Sequence, residues 1–189
     1  MPFRKTTLVW CERILFSVGI AALAWCVFAV GESWLTQRAG ARSVASAAAL
    51  AATPARGAPI AKLQIPRLGV SSVVLEGDDD RTLRLGPGHI AGTAMPGRTG
   101  NIGIAGHRDT FFRPLRNVRV GDRITLTVGK HRFAYQVSSL RIVGPDDVSV
   151  LDPTPRKSLT LVTCYPFSVF GHAPDRFVVR AGFIGEVAS

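Results

Sequence analysis

The sequence predicts a mainly β domain, a small barrel or sandwich with short helices, carried behind one N-terminal membrane helix. Short runs in which apolar and polar residues alternate recur from residue 60 onward, and a period of two marks a half-buried strand. These runs do not alternate with long helical patterns, which argues against a parallel α/β sheet. Residues 14–30, an almost wholly apolar run near the N-terminus, carry no charge at all.

The chain of 189 residues suits one domain plus attachments, and that domain is large enough to bury a real core. Lysine and arginine number 23 against 13 acidic residues, a net charge of +10. The basic residues are scattered and mostly arginine, without a Lys/Arg block or interleaved aromatics, so no nucleic-acid partner is expected. A basic face turned toward an anionic membrane or wall polymer accounts for the charge.

In chain order, residues 1–13 read as a cytoplasmic N-terminus carrying Arg4, Lys5, Glu12 and Arg13. Residues 14–35 read as a transmembrane signal anchor, just long enough to span, with Trp10 and Trp34 at its two interfaces. Three basic residues precede it and only Arg38 and Arg42 follow closely, which weakly favours a cytoplasmic N-terminus in the cell membrane. Ala45-Ser46-Ala47 has the form of a signal-peptidase site. It lies far beyond the apolar run, and that run is long for a signal peptide, so an uncleaved single-pass anchor is the better reading. Residues 36–59, rich in alanine, arginine and proline, read as a flexible tether.

The extracytoplasmic domain then occupies residues 60–189. Strands are expected at 62–65, at 70–75 after the break at Pro66 and Gly69, and at 102–105. Residues 124–128 and 132–137 form a hairpin around Gly129-Lys130, and 159–163 and 177–184 complete seven or eight short strands. Helical pieces fit at 79–85, 111–115 and 146–151.

The chemistry gathers at the ends of three of these runs. The run 159–162 delivers Cys164 before Pro166 stops it. Of the three cysteines, Cys11 and Cys26 lie at or inside the membrane segment, so Cys164 has no partner for a disulfide. A lone thiol in an oxidising compartment is a liability unless its reactivity is used. His107 closes another short run, and Arg176 opens the last one. Thiol, base and permanent cation are what an acyl transfer needs: a nucleophile, a proton carrier and a partner for the oxyanion. Taken singly, Cys164 reads as a small buried hydrophobe, His107 as a structural histidine and Arg176 as a surface charge. Taken together those readings are weaker.

Other motifs carry less. His89, in Gly86-Pro87-Gly88-His89, reads as structural or pocket-lining. Asp78-Asp79-Asp80 reads as a capped helix start rather than a calcium site, because three consecutive acids cannot converge on one ion. No close ligand pair for zinc is present, and Gly97-Arg98-Thr99-Gly100 lacks the lysine of a phosphate loop. No metal and no cofactor is expected.

The motif Thr160-Leu161-Val162-Thr163-Cys164 resembles the TLxTC signature of sortases, the membrane-anchored cysteine transpeptidases of bacterial envelopes. Residues 106–115, GHRDTFFRPL, resemble that family's histidine segment, and Gly121-Asp122-Arg123-Ile124 resembles its following strand. Residues 163–167 and 171–179 are most similar to the class D branch, and the resemblance covers roughly residues 60–184. It implies a closed eight-stranded barrel, with Cys164 as nucleophile, His107 as general acid and base, and Arg176 as the oxyanion partner. It further implies substrate contacts at Thr163, Tyr165 and His89. The implied substrate is a protein bearing a C-terminal LPxTG-like sorting motif, and the implied acceptor an amine on a peptidoglycan precursor or another protein. One departure is the short loop between Cys164 and Arg176, with His172 where a small polar residue is expected.

Three rivals are weighed. A hydrolytic cysteine peptidase on the same scaffold differs only in whether water resolves the acyl-enzyme. An L,D-transpeptidase places its histidine and cysteine motifs close together in sequence, and here they are far apart. A non-catalytic envelope-binding module predicts decay of Cys164, His107 or Arg176, and all three stand.

Overall fold

A computed structural model of the chain describes residues 3–44, 54–168, 171 and 173–187, with side chains from residue 10 onward. The chain opens with helix α1 (Phe3–Ser43). Strands β1 (Pro59–Ile65) and β2 (Val70–Glu76) follow, then helix α2 (Asp80–Leu85), the two-residue strand β3 (Gly88–His89) and β4 (Asn101–Ala105). The remainder comprises β5 (Arg123–Val128), β6 (His131–Val143), β7 (Ser158–Tyr165) and β8 (Asp175–Val187). The strands close into a barrel in the order β1-β2-β3-β4-β7-β8-β6-β5. Short 3₁₀ turns at Pro66–Leu68, Arg113–Asn117 and Val148–Leu151 join them.

Alternation explains the barrel. In β5, Ile124 and Leu126 are fully buried, and in β6 so is Tyr135. Leu63 and Ile65 of β1, Ile102 and Ile104 of β4, Leu159 and Leu161 of β7 and Val179 of β8 pack with them in one core, capped by Phe112 and Leu115. A closed barrel leaves few strand edges to cover, which suits a small domain of short strands. Gly129 at positive φ turns the β5–β6 hairpin.

Closure is thinnest at β3, which pairs with β2 only at Leu75 with Gly88 and Glu76 with His89, and with β4 only at Gly88 with Ala105 and His89 with Ile104. Beside that gap the edge of β2 is covered by a side chain of α1. The amide of Gln37 accepts from the Val73 backbone N–H at 2.6 Å and donates to the Val73 carbonyl at 3.1 Å, as a neighbouring strand would. It also donates to the Leu85 carbonyl at 3.1 Å. Val44 is buried against Val73 and Leu75, and its carbonyl accepts from Gly129 N.

This corrects the expected tether over its described first part, residues 36–44. Residues 36–43 continue α1, because the docked Gln37 and Val44 give the helix end something to bury. Gly57 N and the Ala58 carbonyl pair with Glu76, so the approach to β1 is also held. The alanine run at 45–52 lies outside the described residues. Along α1, the stretch from Trp10 to Ser43 is long and apolar enough to cross a membrane by length and composition, and its apolar first part, residues 10–30, is exposed. The aspartate triplet acts as a cap: Asp79 accepts from the N–H groups of Arg81 and Thr82 at the start of α2.

Candidate active site

β4 and β7 run parallel, with Ala105 beside Val162. Just beyond that last pair, Gly106 N donates to the Val162 carbonyl, and the chain then turns away with His107 at its start. The His107 carbonyl accepts from Phe112 N at 3.1 Å, which closes the turn. Gly106 has no room for a side chain, since a Cβ there would sit 2.7–2.9 Å from three atoms of the buried Phe112 ring. On the other side of the junction, Thr163 donates its hydroxyl to the Gly106 carbonyl at 2.7 Å. The ends of β4 and β7 are thus tied together where one carries His107 and the other Cys164.

β8 completes the arrangement from the opposite flank. In the antiparallel pairing of β7 with β8, Cys164 lies directly across from Arg176. Such cross-strand neighbours place their Cβ atoms roughly 4.5–5.5 Å apart on one face of the sheet. The Arg176 guanidinium donates to the Ala173 and Asp175 carbonyls at 3.3 and 3.0 Å, which holds it at the mouth of the β7–β8 loop. His107, Cys164 and Arg176 together line a cleft of about 260 Å³, with Arg108, Asp109 and Ala173 in the same wall. Cys164 is partly exposed, and the cleft opens to solvent.

Arg108 is the residue the sequence reading did not single out. It is buried, at 7% exposure, and donates to the Pro166 carbonyl at 2.8 Å and the Gly171 carbonyl at 2.7 Å. One guanidinium from the histidine turn thereby holds two points of the loop after Cys164, its start and a position five residues further on. The two carbonyls are met by separate nitrogens, Nη1 and Nη2, held at fixed spacing by the planar guanidinium, a geometry that the single nitrogen of a lysine does not offer. Its position next to His107 was visible in the sequence, but its burial was not.

The other named residues fall elsewhere. His89 is 2% exposed, with Nδ1 3.0 Å from Glu76 Oε2 and Nε2 3.1 Å from the Ala94 carbonyl and 3.0 Å from the Thr93 hydroxyl. It is a tie between β2, β3 and the loop after them, and it does not line the cleft. The Thr163 hydroxyl is committed to Gly106 and buried, so its contact with the site is through the backbone junction. The Tyr165 ring packs against Phe167 and Phe177 at centroid distances of 6.2 and 6.4 Å, on the rim rather than in the cleft. His172 lies outside the described residues. Among the described residues no group of three or more His, Cys, Asp or Glu side chains is placed to hold a metal ion.

A closed eight-stranded barrel with a thiol, an imidazole and a guanidinium at adjoining strand ends is the arrangement of a β-barrel cysteine enzyme. Residues 63–183 match the family model described as Sortase domain, and the chain belongs to the sortase family. Sortase D of Bacillus subtilis (strain 168) is 35% identical over 127 residues, which is 67% of this chain and 64% of the relative. Sortase SrtE1 of Streptomyces coelicolor is 37% identical over 129 residues, 58% of this chain and 37% of that protein. The match therefore spans just under two thirds of the length of the first of these curated relatives and little more than a third of the second. Among solved structures, a Clostridium perfringens Sortase D5 transpeptidase superposes with a TM-score of 0.73 at 30% identity, covering 82% of this chain and 99% of that one. Sortase E1 from Streptomyces coelicolor, solved with a tripeptide in its active site, gives 0.62 at 32% identity over 72% of this chain and 94% of that one.

Proposed function

We propose that the chain is a cysteine transpeptidase that cleaves a C-terminal LPxTG-like sorting motif after threonine and passes the protein to an amine of the cell envelope. The observation that carries this reading is the direct cross-strand apposition of Cys164 and Arg176 beside His107, in a chain of the sortase family.

In the first step Cys164 Sγ, as thiolate, bonds to the threonine carbonyl carbon. The electron pair of the C=O moves to oxygen, where Arg176 donates to the oxyanion; its charge is permanent and its planar donors suit an oxygen held at one side of the carbon. The C–N bond then breaks, and His107 gives the departing amine its proton. In the second step an incoming amine attacks the thioester, His107 takes its proton, and the C–S bond breaks to restore the thiolate. Arg108 holds the loop that shapes the cleft around both steps, and Thr163 keeps the two strand ends joined.

The long apolar helix supports anchoring in the cell membrane, with residues 1–13 in the cytoplasm and the barrel outside. The chain then works on substrates delivered at the outer face of that membrane.

The test is the full-length chain in detergent micelles, given a panel of LPxTG-like peptides with and without an added amine. Mass spectrometry should find cleavage after threonine, an acyl adduct on Cys164 and an amine-transfer product, all absent in Cys164→Ala. Cleavage without transfer to any amine makes the chain a peptidase instead, and a chain that forms no adduct with any peptide is a binding module.

A further inference from the structure

Past Arg108, Asp109 and Gly171, which the two share, the catalytic cleft continues into a second cavity of about 400 Å³. Its far wall is the 3₁₀ turn Arg113–Asn117, which carries Arg113 and Arg116. Residues three apart on a 3₁₀ helix lie above one another, so both guanidinium groups present on one side. Both are exposed, and neither makes an ion pair or side-chain hydrogen bond with a described residue. Phe167 forms the apolar wall of the cavity.

The charge in this cavity is not otherwise spent. Arg108 is occupied by the Pro166 and Gly171 carbonyls, and its Nε also faces Asp109 at 3.4 Å. Asp109 is the one carboxylate in the lining, and its partner is Arg108. Two arginines remain whose donors point at solvent next to a catalytic cleft. A pair of guanidinium forks is a receptor for a carboxylate.

The side on which the cavity lies decides what enters it. It is built on the segment that follows His107. The departing and the incoming amine exchange their proton with that same ring, so both must stand on this side of the thioester. The acyl chain stays on the flank of Cys164 and Arg176.

We propose that this cavity is the acceptor subsite, and that it selects an amine whose molecule also carries a carboxylate, read by Arg113 and Arg116. The inference rests on the transpeptidase reading above. Selection acts on the second step, where the carboxylate bound by the two arginines raises the occupancy of the amine beside the thioester.

The test uses the full-length chain in micelles, acylated by an LPxTG-like peptide. Three acceptor pairs are offered at equal free-amine concentration: glycine and glycinamide, 4-aminobutyrate and its amide, 6-aminohexanoate and its amide. The readout is the ratio of transfer to hydrolysis product from a common acyl-enzyme, which is independent of how fast that intermediate forms. In at least one pair the acid should be preferred roughly fivefold or more, the scale of two exposed charge-assisted contacts. The pair that responds gives the spacing between amine and carboxylate. In Arg113→Gln/Arg116→Gln the preference should fall to near unity, and in the unmutated chain it should decline with ionic strength. Equal ratios for acid and amide in all three pairs overturn the proposal, as does a preference that survives both the double substitution and high salt. An unmutated chain that forms no adduct with any donor fails one step earlier, and the transpeptidase reading falls together with its acceptor subsite.

Discussion

Cys164 and Arg176 face each other across the β7–β8 ladder, so the proposed nucleophile and the proposed oxyanion donor are set by strand register rather than by a loop. A one-residue slip of β8 against β7 would turn Arg176 to the face of the sheet opposite Cys164. If Arg176 acts on the oxyanion, Arg176→Ala should lower the single-turnover acylation rate by about a hundredfold to a thousandfold, as removal of one such donor does. Arg176→Lys should recover only part of the loss, because an ammonium lacks the fork geometry. Rapid-quench measurement of the Cys164 adduct checks this, and acylation at the unmutated rate in Arg176→Ala would remove the arginine from the mechanism.

The turn that carries His107 depends on Gly106 for space, not for backbone conformation. Gly106→Ala must push its methyl group into the Phe112 ring, at a cost of about 1–3 kcal/mol for overpacking a filled core. The displaced turn should also lower acylation by more than the stability loss explains. Phe112→Leu makes room, so the double variant should be less destabilised than the sum of the two single ones. Urea midpoints and acylation rates on the four chains read both effects.

Asp122 is buried beside Arg67, whose Nε and Nη2 donate to its carboxylate at 2.5 and 2.6 Å. That hydrogen bond, helped by Arg119 N, holds the Asp122 carboxyl below the usual carboxylate range against the opposing effect of burial. A folded-state value below the unfolded one, about 3.9, gives stability that is present above that pH and lost as pH falls through the depressed value. Arg67→Ala should therefore lower stability only modestly near neutral pH, since the arginine is exposed and its charge screened. The gap from the unmutated chain should close as the pH drops below about 4. A gap that stays constant from neutral to strongly acid solution would mean the pair contributes nothing through charge.

Tyr135 sits at the centre of the barrel, fully buried against Phe183 at a centroid distance of 5.6 Å, and its hydroxyl has no hydrogen-bond partner among the described residues. Burial pushes its pKa well above the ordinary tyrosine value, so it stays neutral. An orphaned hydroxyl costs its desolvation without return. Tyr135→Phe should be no less stable than the parent and should gain up to about 1 kcal/mol, read as a higher thermal midpoint.

The barrel was legible wherever side chains alternate without interruption, as at β5 and the first half of β6. It was not legible where pairing runs past the pattern. β6 continues to Val143 through a register shift between Val137 and Ser139, and that shift breaks the alternation. β3 is two residues of a Gly-Pro-Gly-His turn that pair only because β2 and β4 flank them. At the site, Cys164, His107 and Arg176 could be picked out because each ends or starts an apolar run. Arg108 could not, because an arginine beside a histidine looks the same in sequence whether it is solvated or buried across two carbonyls.

The least legible element was the end of α1, where the docking rests on one glutamine amide. Gln37 occupies the place of a missing strand on the edge of β2, and Gly86 leaves it no spare room: a Cβ there would lie 2.5 Å from Gln37 Nε2 and 2.9 Å from the Val73 carbonyl oxygen. Gln37→Ala exposes the Val73 N–H and carbonyl, at a cost of about 1–3 kcal/mol if they stay dry. Gln37→Glu should be worse than alanine, because a carboxylate has no hydrogen to give the Val73 and Leu85 carbonyls. Gly86→Ala should act like Gln37→Ala by displacing the amide. Hydrogen exchange on the full-length chain in micelles reads this directly at the Val73 amide, with protection falling in the order Gln37, Ala, Glu. If the Val73 amide exchanges equally fast in all of these chains, α1 is a leash. If the order holds, α1 and the barrel move as one body, and with α1 in the membrane as proposed, its length fixes the height of Cys164 above the bilayer.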